Sequence, residues 1–146
     1  MKKFAFLFVC LFALNFTLWA DNDKPIQVAE MPQRAQQFIQ AHFAGQSVAM
    51  AKVESELMSK NYDVIFTNGD KVEFDKKGDW TNVDCEHSQV PQAIIPADIQ
   101  KYVSTNYPDA KVLKIEKTDR KGYEIELNNG FDIEFDKKFK VIEIDR

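Results

Sequence analysis

The chain has 146 residues and a formal net charge of −4, from 19 basic and 23 acidic side chains. Hydrophobic residues make up 45% of it and aromatic residues 12%, which is enough for a packed core and too much for a disordered chain. The acidic balance argues against nucleic-acid binding, because phosphates would repel such a chain unless its basic residues were clustered.

Residues 1–20 have the pattern of a secretory signal peptide. Lys2 and Lys3 precede a long apolar run, and the polar residues 21–24 follow it. We expect cleavage after Ala20, export to the periplasm or beyond, and no membrane association afterwards. A permanent anchor is the alternative, but the run is shorter than the roughly 20 residues that span a bilayer. Without the two lysines, 17 basic residues would face 23 acidic ones, a net charge of −6.

The next predicted element is a helix, followed by four strands. Pro32 suits a first helical position, and an apolar stripe with helical spacing follows it, formed by Ala35, Phe38, Ile39 and Phe43. Short segments that alternate between apolar and polar residues predict strands at residues 48–57, 60–67, 71–75 and 79–84. We expect the apolar stripe to pack the helix onto the resulting sheet.

This order of elements recurs later in the chain. Residues 68–77 reappear as residues 129–138, and Pro96 begins a second helix with its own apolar stripe. We therefore predict two tandem repeats, at residues 25–85 and 89–146, each a helix with a four-stranded antiparallel sheet. Together they predict an α+β fold whose sheet has up to eight strands, with the helices on one face and the other face open to solvent.

The turn residues predict how the strands connect. Asn68-Gly69 and Asn129-Gly130 favour two-residue hairpin turns in which both central residues have positive φ. Residues 75–78 favour a type I turn closed by a left-handed glycine, Gly78. Phe139 occupies the matching position in the second repeat, where a bulky residue disfavours that conformation. We expect that last turn to differ from its counterpart or to be mildly strained.

The second repeat carries a longer recognisable pattern. Residues 96–136 read Pro, an aromatic helix, Tyr-Pro-x-Ala, and then Gly-Tyr-x-Ile-x-Leu-x-Asn-Gly-x-x-Ile-x-Phe-Asp. This pattern resembles the PepSY-like, β-lactamase-inhibitor-like family of exported bacterial proteins, although the first repeat has Phe43-Ala44 in place of Tyr-Pro. The resemblance implies a tandem α+β fold with a broad binding face on the sheet, and it implies no chemical activity.

Residues typical of catalytic or cofactor sites are few. Cys85 and His87 lie two positions apart in the connector between the repeats. They suit part of a metal site or a nucleophile, but zinc needs three or four ligands and no second pair is present. The alternatives are an exposed thiol that joins two chains and an inert linker. We predict no enzyme activity and no cofactor.

Two surfaces are candidates for binding a partner. Alternation places four carboxylates on the open face of two paired strands, namely Glu124, Glu126, Asp132 and Glu134. The second candidate is the hairpin tip Asn68-Gly69-Asp70, which we expect to project from the sheet as exposed loops do. The plainer interpretations are a solvated face and a turn without further role.

These observations predict a non-catalytic exported protein that binds a protein or peptide through the open sheet face and the hairpin tips. The class of partner includes an enzyme that the protein inhibits. The partner's identity and the oligomeric state stay open. The alternative is a divalent-cation-binding periplasmic protein that uses the acidic face of the second repeat, since calcium prefers oxygen ligands.

Overall fold

The computed structural model describes residues 22–146, so the predicted signal peptide lies outside the described residues. The helices are α1 (Gln33–His42) and α2 (Ala97–Asn106). The strands are β1 (Asp23–Ile26), β2 (Val48–Ser55), β3 (Lys60–Phe66), β4 (Lys71–Phe74), β5 (Trp80–Asp84), β6 (Val112–Lys117), β7 (Tyr123–Leu127), β8 (Asp132–Phe135) and β9 (Val141–Asp145). Neither helix within this part of the chain is long and apolar enough to cross a membrane.

All nine strands form one antiparallel sheet in which spatial order follows chain order, from β1 to β9. A helix followed by four strands occurs twice along it, and we call residues 33–84 the first half and residues 97–145 the second half. The halves meet where β5 pairs with β6, with Val83 opposite Ile115. The predicted α+β fold with an open antiparallel sheet is confirmed.

The sheet has one strand more than predicted. β1 pairs with the outer edge of β2, with Ile26 opposite Ala51. No local pattern predicts this strand, because four residues with Pro25 in the middle show no strand-like alternation. Proline lacks a backbone donor and is tolerated at a sheet edge. The position of β1 therefore depends on the free edge of β2, which is a tertiary effect.

Both helices pack on the same face of the sheet, as the apolar stripes predict. The ring of Phe38 on α1 meets Phe74 on β4 edge-on, with 5.6 Å between centroids. Tyr102 on α2 meets Phe135 on β8 in the same way at 5.4 Å. Such pairs contribute about 0.5–1.5 kcal/mol beyond the burial of their area. The core is therefore one layer between two helices and a sheet, and the opposite face carries mostly polar and charged side chains.

The Asn-Gly turns differ from the prediction. Gly69 and Gly130 have φ of 93° and 83°, whereas the asparagines before them stay at negative φ. In the first turn the Phe66 N–H donates to the Asp70 carbonyl at 2.8 Å, and the Gly69 N–H donates to the Phe66 carbonyl at 3.0 Å. These are three-residue hairpin loops with a single left-handed glycine. The sequence identified the turns correctly, but their length was wrong by one residue.

Phe139 adopts the left-handed conformation that the sequence marked as unfavourable. Its φ is 60°, and its N–H donates to the Asp136 carbonyl at 2.9 Å, as the Gly78 N–H does to the Asp75 carbonyl. The turn is thus the same as its counterpart in the first half, and the phenylalanine carries the strain. Stacking of its ring on Tyr123, with centroids 5.8 Å apart, offsets part of that cost.

Gly78→Ala should destabilise the protein more than Gly130→Ala. Both glycines have φ of 83°, so both substitutions incur about 1–2 kcal/mol of left-handed strain. A Cβ on Gly78 would also lie 2.8 Å from Pro32 Cβ and 2.9 Å from Ala35 N at the start of α1, whereas Gly130 faces open space. We expect about 1–3 kcal/mol of additional loss for Gly78→Ala in urea unfolding. Equal losses for the two variants would contradict this contact.

Candidate functional site

Seven carboxylates lie on the solvent side of β6 to β9, where side chains alternate with the buried positions of each strand. We call this group the acidic face; its members are Glu116, Glu124, Glu126, Asp132, Glu134, Glu143 and Asp145. The four carboxylates predicted from the sequence are among them. Glu116 was missed because β6 was not delimited in the sequence. Glu143 and Asp145 were missed as well, although the alternation of Val-Ile-Glu-Ile-Asp in β9 was sufficient to place them on this face.

Strand pairing arranges these carboxylates in rows across the sheet. In one row Glu124 lies opposite Glu116 on β6 and opposite Glu134 on β8. In the next row Asp132 lies opposite Glu126. Side chains directly opposite each other have Cβ atoms about 4.5–5.5 Å apart, so like charges there destabilise the sheet. The second half of the sheet therefore concentrates negative charge at a spacing that its backbone fixes.

One lysine borders the acidic face. Lys114 lies opposite Glu126 on β7 and opposite Asp84 on β5, and its Nζ is 3.3 Å from Glu116 Oε2. Burial lowers the pKa of Lys114, but the surrounding carboxylates, above all Glu116, raise it by more than burial lowers it. The net pKa is raised, so the lysine stays charged. A single cation cannot balance seven carboxylates.

The excess of carboxylates is smaller on β1 to β5, where Lys52 and Lys71 share the open face with Asp23, Glu54, Asp63, Glu73 and Asp84. Lys52 contacts Asp23 and lies 3.5 Å from Asp63 Oδ2, and Lys71 lies 3.2 Å from Asp63 Oδ2 and 2.6 Å from Glu73 Oε1. Burial lowers the pKa of Lys71, but the hydrogen bond to Glu73 and the charge of Asp63 outweigh it, and the pKa is raised. Asp23, Asp63 and Glu73 each have a lysine partner, so the excess of negative charge is larger in the second half.

The pKa values on the acidic face respond to this imbalance. Burial raises the pKa of Glu124, and the charges of Glu116, Asp132 and Glu134 raise it further, against the opposing effect of Lys114. Burial and the charge of Asp132 likewise raise the pKa of Glu126. Both carboxyls therefore hold their protons more tightly than an isolated glutamate does, which means that ionisation at neutral pH costs folding free energy.

The outer part of the acidic face forms a shallow depression of about 100 Å³, lined by Glu124, Asp132, Glu134, Glu143 and Asp145. Carboxylate oxygens are the ligands that calcium prefers. Within residues 22–146, however, no group of three or more His, Cys, Asp or Glu side chains is arranged to hold a metal ion. The carboxylates stand side by side on a sheet, and this spacing suits an extended set of cations better than a single ion.

The hairpin tip at residues 68–70 is partly a structural element. Asn68 and Gly69 are exposed, but Asp70 is fully buried, so the prediction that the whole tip projects is wrong for Asp70. Its Oδ2 accepts hydrogen bonds from Gln46 Nε2 at 3.1 Å, Asn68 Nδ2 at 2.9 Å and Ser88 Oγ at 2.7 Å. The carboxylate thereby ties the turn to the segment after α1 and to the connector between the halves.

The connector does not expose its cysteine. Cys85 is fully buried and free, and burial, with the charge of Asp70 added, raises the pKa of its thiol to about 12. Of the alternatives for the connector, the exposed thiol is therefore wrong, and a protonated thiol is a poor nucleophile and metal ligand. The His87 ring does not accompany the cysteine into the core but lies beside Gly69. A Cβ on Gly69 would come within 2.7 Å of His87 Cδ2.

Two helices on one face of an open antiparallel sheet, with charges on the other face, define an α+β protein of the open-sheet class. Within that class, the chain belongs to the family described as “Putative beta-lactamase-inhibitor-like, PepSY-like”, which matches residues 60–143. The family resemblance seen in the sequence is thus confirmed. No curated protein matches the chain.

Solved structures of Bacteroides proteins are similar to this chain over most of its length. A Bacteroides thetaiotaomicron protein described as a “putative calcium-regulated periplasmic protein” shares 63% identity with a TM-score of 0.84, over 87% of this chain and 99% of its own. A Bacteroides vulgatus protein described as a “putative periplasmic protein” shares 61% identity with the same TM-score and coverage. Another from that species, of unknown function, shares 36% identity with a TM-score of 0.78, over 85% of this chain and 99% of its own.

Asp70→Ala should destabilise the protein by about 1–3 kcal/mol, because it leaves three donors without their buried acceptor. Asp132→Ala is the matched control, since it makes the same chemical change at an exposed position with like-charged neighbours. We expect no loss of stability for the control. Urea unfolding monitored by tryptophan fluorescence measures both, and an Asp70→Ala variant as stable as the control would refute the role of this carboxylate.

Glu124→Gln should stabilise the protein at neutral pH. The pKa of Glu124 is raised in the folded state, so ionisation opposes folding, and the penalty appears as pH rises from the ordinary value of 4.5 through the folded pKa. We expect a gain of about 0.2–1 kcal/mol, the size of one cross-strand charge pair, which fades below that ordinary pKa. Glu73→Gln is the control in the first half and should give no gain, because Glu73 pairs with Lys71. Thermal unfolding as a function of pH distinguishes the two variants.

Proposed function

We propose that this chain is a non-catalytic exported protein that binds a basic protein or peptide through the acidic face. The observation that carries the proposal is the asymmetry of the open sheet surface. Seven carboxylates share one lysine in the second half, whereas five carboxylates share two lysines on β1 to β5 and three of the five form ion pairs. A partner with spaced cations would supply the missing counter-charges, and such complementarity steers association and selects partners.

The proposal places the protein in the periplasm or outside the cell. Its support is the signal-peptide pattern of residues 1–20 together with the description of similar structures as periplasmic proteins. Because the family is described as inhibitor-like, the partner class includes enzymes that the protein inhibits. The proposed domain organisation is two copies of one unit, at residues 25–85 and 89–146, supported by the recurring order of a helix and four strands. Asn68 and Gly69 remain proposed as a second contact.

Capture from periplasmic extract tests this function. The immobilised protein is compared with a variant that neutralises the acidic face (Glu124→Gln, Asp132→Asn and Glu134→Gln) and with a control variant in the first half (Glu54→Gln and Glu73→Gln). We expect the wild type and the control variant to retain partner proteins at low salt and to lose them at moderate salt. The acidic-face variant should not retain these partners at either salt concentration. Screening makes this salt dependence a direct readout of charge. Equal capture by both variants would refute the acidic face as the docking surface.

Divalent-cation binding is the second candidate. The specific observation in its favour is the description of the Bacteroides thetaiotaomicron protein as calcium-regulated, together with the carboxylate-lined depression on the acidic face. Calorimetric titration with calcium chloride separates the two candidates. Saturable heat that disappears in the acidic-face variant, without a protein partner in the extract, would favour cation storage or sensing. Heat equal to that of buffer, with a charge-dependent partner, would favour protein binding.

A further inference from the structure

The sheet has two edges among the described residues, and they differ in chemistry. β1 forms one edge and carries Pro25, which has no N–H to offer, and the charged Lys24. Both features are ways in which proteins blunt a sheet edge. β9 forms the other edge, with the sequence Val-Ile-Glu-Ile-Asp and neither proline nor lysine. Its Ile142 and Ile144 are 49% and 45% exposed.

The structure contains an internal example of what pairs with a strand like β9. β5 and β9 hold corresponding places in their halves, and both pair with their inner neighbour through a bulge after a glutamate, at Glu73/Phe74 and Glu134/Phe135. The outer edge of β5 is covered by β6, whereas no strand among residues 22–146 covers β9.

The β5–β6 junction shows the side-chain pattern of such a partner. On the core side Val83 lies opposite Ile115, and on the open face Asp84 lies opposite Lys114. Asn82 lies opposite Glu116. β9 has Ile144 and Asp145 where β5 has its valine and aspartate, and it has Glu143 where β5 has its asparagine. A strand that matches β9 therefore needs an apolar residue opposite Ile144 and basic residues opposite Asp145 and Glu143.

We propose that β9 is the docking edge for an extended basic segment of a partner protein, which adds to the sheet as a tenth antiparallel strand. Backbone hydrogen bonds along the free edge supply affinity, and alternate side chains supply specificity. This inference rests on the proposed function, because Glu143 and Asp145 belong to the acidic face, and it specifies how the partner binds. The added strand continues the acidic face, so its cations lie next to the unpaired carboxylates.

A second copy of this chain does not fit the same edge. Antiparallel pairing of two β9 strands would bring the open-face carboxylates Glu143 and Asp145 of one copy beside those of the other. Like charges directly opposite each other destabilise a sheet. The charge pattern therefore disfavours self-pairing and favours a basic strand.

A peptide based on β6 tests the proposal. The probe has the sequence of residues 111–118 with Glu116→Lys, so that a lysine comes opposite Glu143. Two further probes carry N-methyl groups on alternate residues in the two possible patterns, because a strand directs alternate N–H groups to opposite edges. Fluorescence anisotropy with the full protein gives the dissociation constants, and amide exchange by NMR reports which strand is protected.

We expect the unmodified probe to bind and to protect amides of β9. One N-methyl pattern should weaken binding at least tenfold and the other should have little effect. Glu143→Lys combined with Asp145→Lys should weaken it at least tenfold, and Glu54→Lys on β2 should not. A probe that binds equally well with either N-methyl pattern would overturn strand addition while leaving the acidic face as a charge-dependent docking surface. Absence of salt-sensitive binding by any probe would count against both proposals, and a dimer formed through β9 would overturn the choice of partner.

Discussion

The pairing of β5 with β6 is the interaction on which the rest of the structure depends. Val83 and Ile115 lie opposite each other there, and both are fully buried, so the core row of one half continues into the other. Side chains alternate strictly along a strand, and a slip of one residue would exchange the two faces. The register of this junction therefore decides that Lys114 and Glu116 point away from the helices and that seven carboxylates share the solvent side.

That constraint explains why the acidic face persists despite its repulsion. The Cβ spacing between Glu124 and its neighbours is fixed by backbone hydrogen bonds, and the buried residues between them, such as Ile125 and Ile133, hold the strands in place. The carboxylates cannot separate without breaking the core pairing beneath them. Their repulsion appears instead as raised pKa values, and a surface under such repulsion gains more from an external cation than a neutralised one does.

Local patterns in the sequence were sufficient for most of the fold. Helical stripes and two-residue alternation predicted both helices, the four strands of the first half and four members of the acidic face, because these signals depend only on near neighbours. The internal repeat extended the predicted strand count to eight. β1 and the burial of Cys85 could not be predicted, since both depend on a distant strand edge or on packing of the connector. The Asn-Gly turns were found but misjudged in length, because the same residue pair suits more than one hairpin loop.

The environment of Asp70 is another feature that local sequence patterns could not predict. Its counterpart in the second half is Phe131, and both follow the left-handed glycine of the same three-residue turn. The aspartate accepts hydrogen bonds from side chains on the connector and after α1, whereas the phenylalanine packs on Tyr107, with ring centroids 5.2 Å apart. Turn chemistry specified the backbone, and only the surrounding chain specified whether the next side chain joins a polar network or an aromatic contact.

The charges at the β9 edge link stability to specificity. An edge strand with exposed isoleucines and free backbone groups pairs readily with other strands unless something prevents it. In the proposed docking mode, Glu143 and Asp145 prevent pairing with another acidic strand, and the same carboxylates attract a basic one. Discrimination of this kind needs a repulsive element as well as an attractive one. We infer that the folding free energy lost to repulsion on the acidic face is the physical basis for the proposed choice among partners.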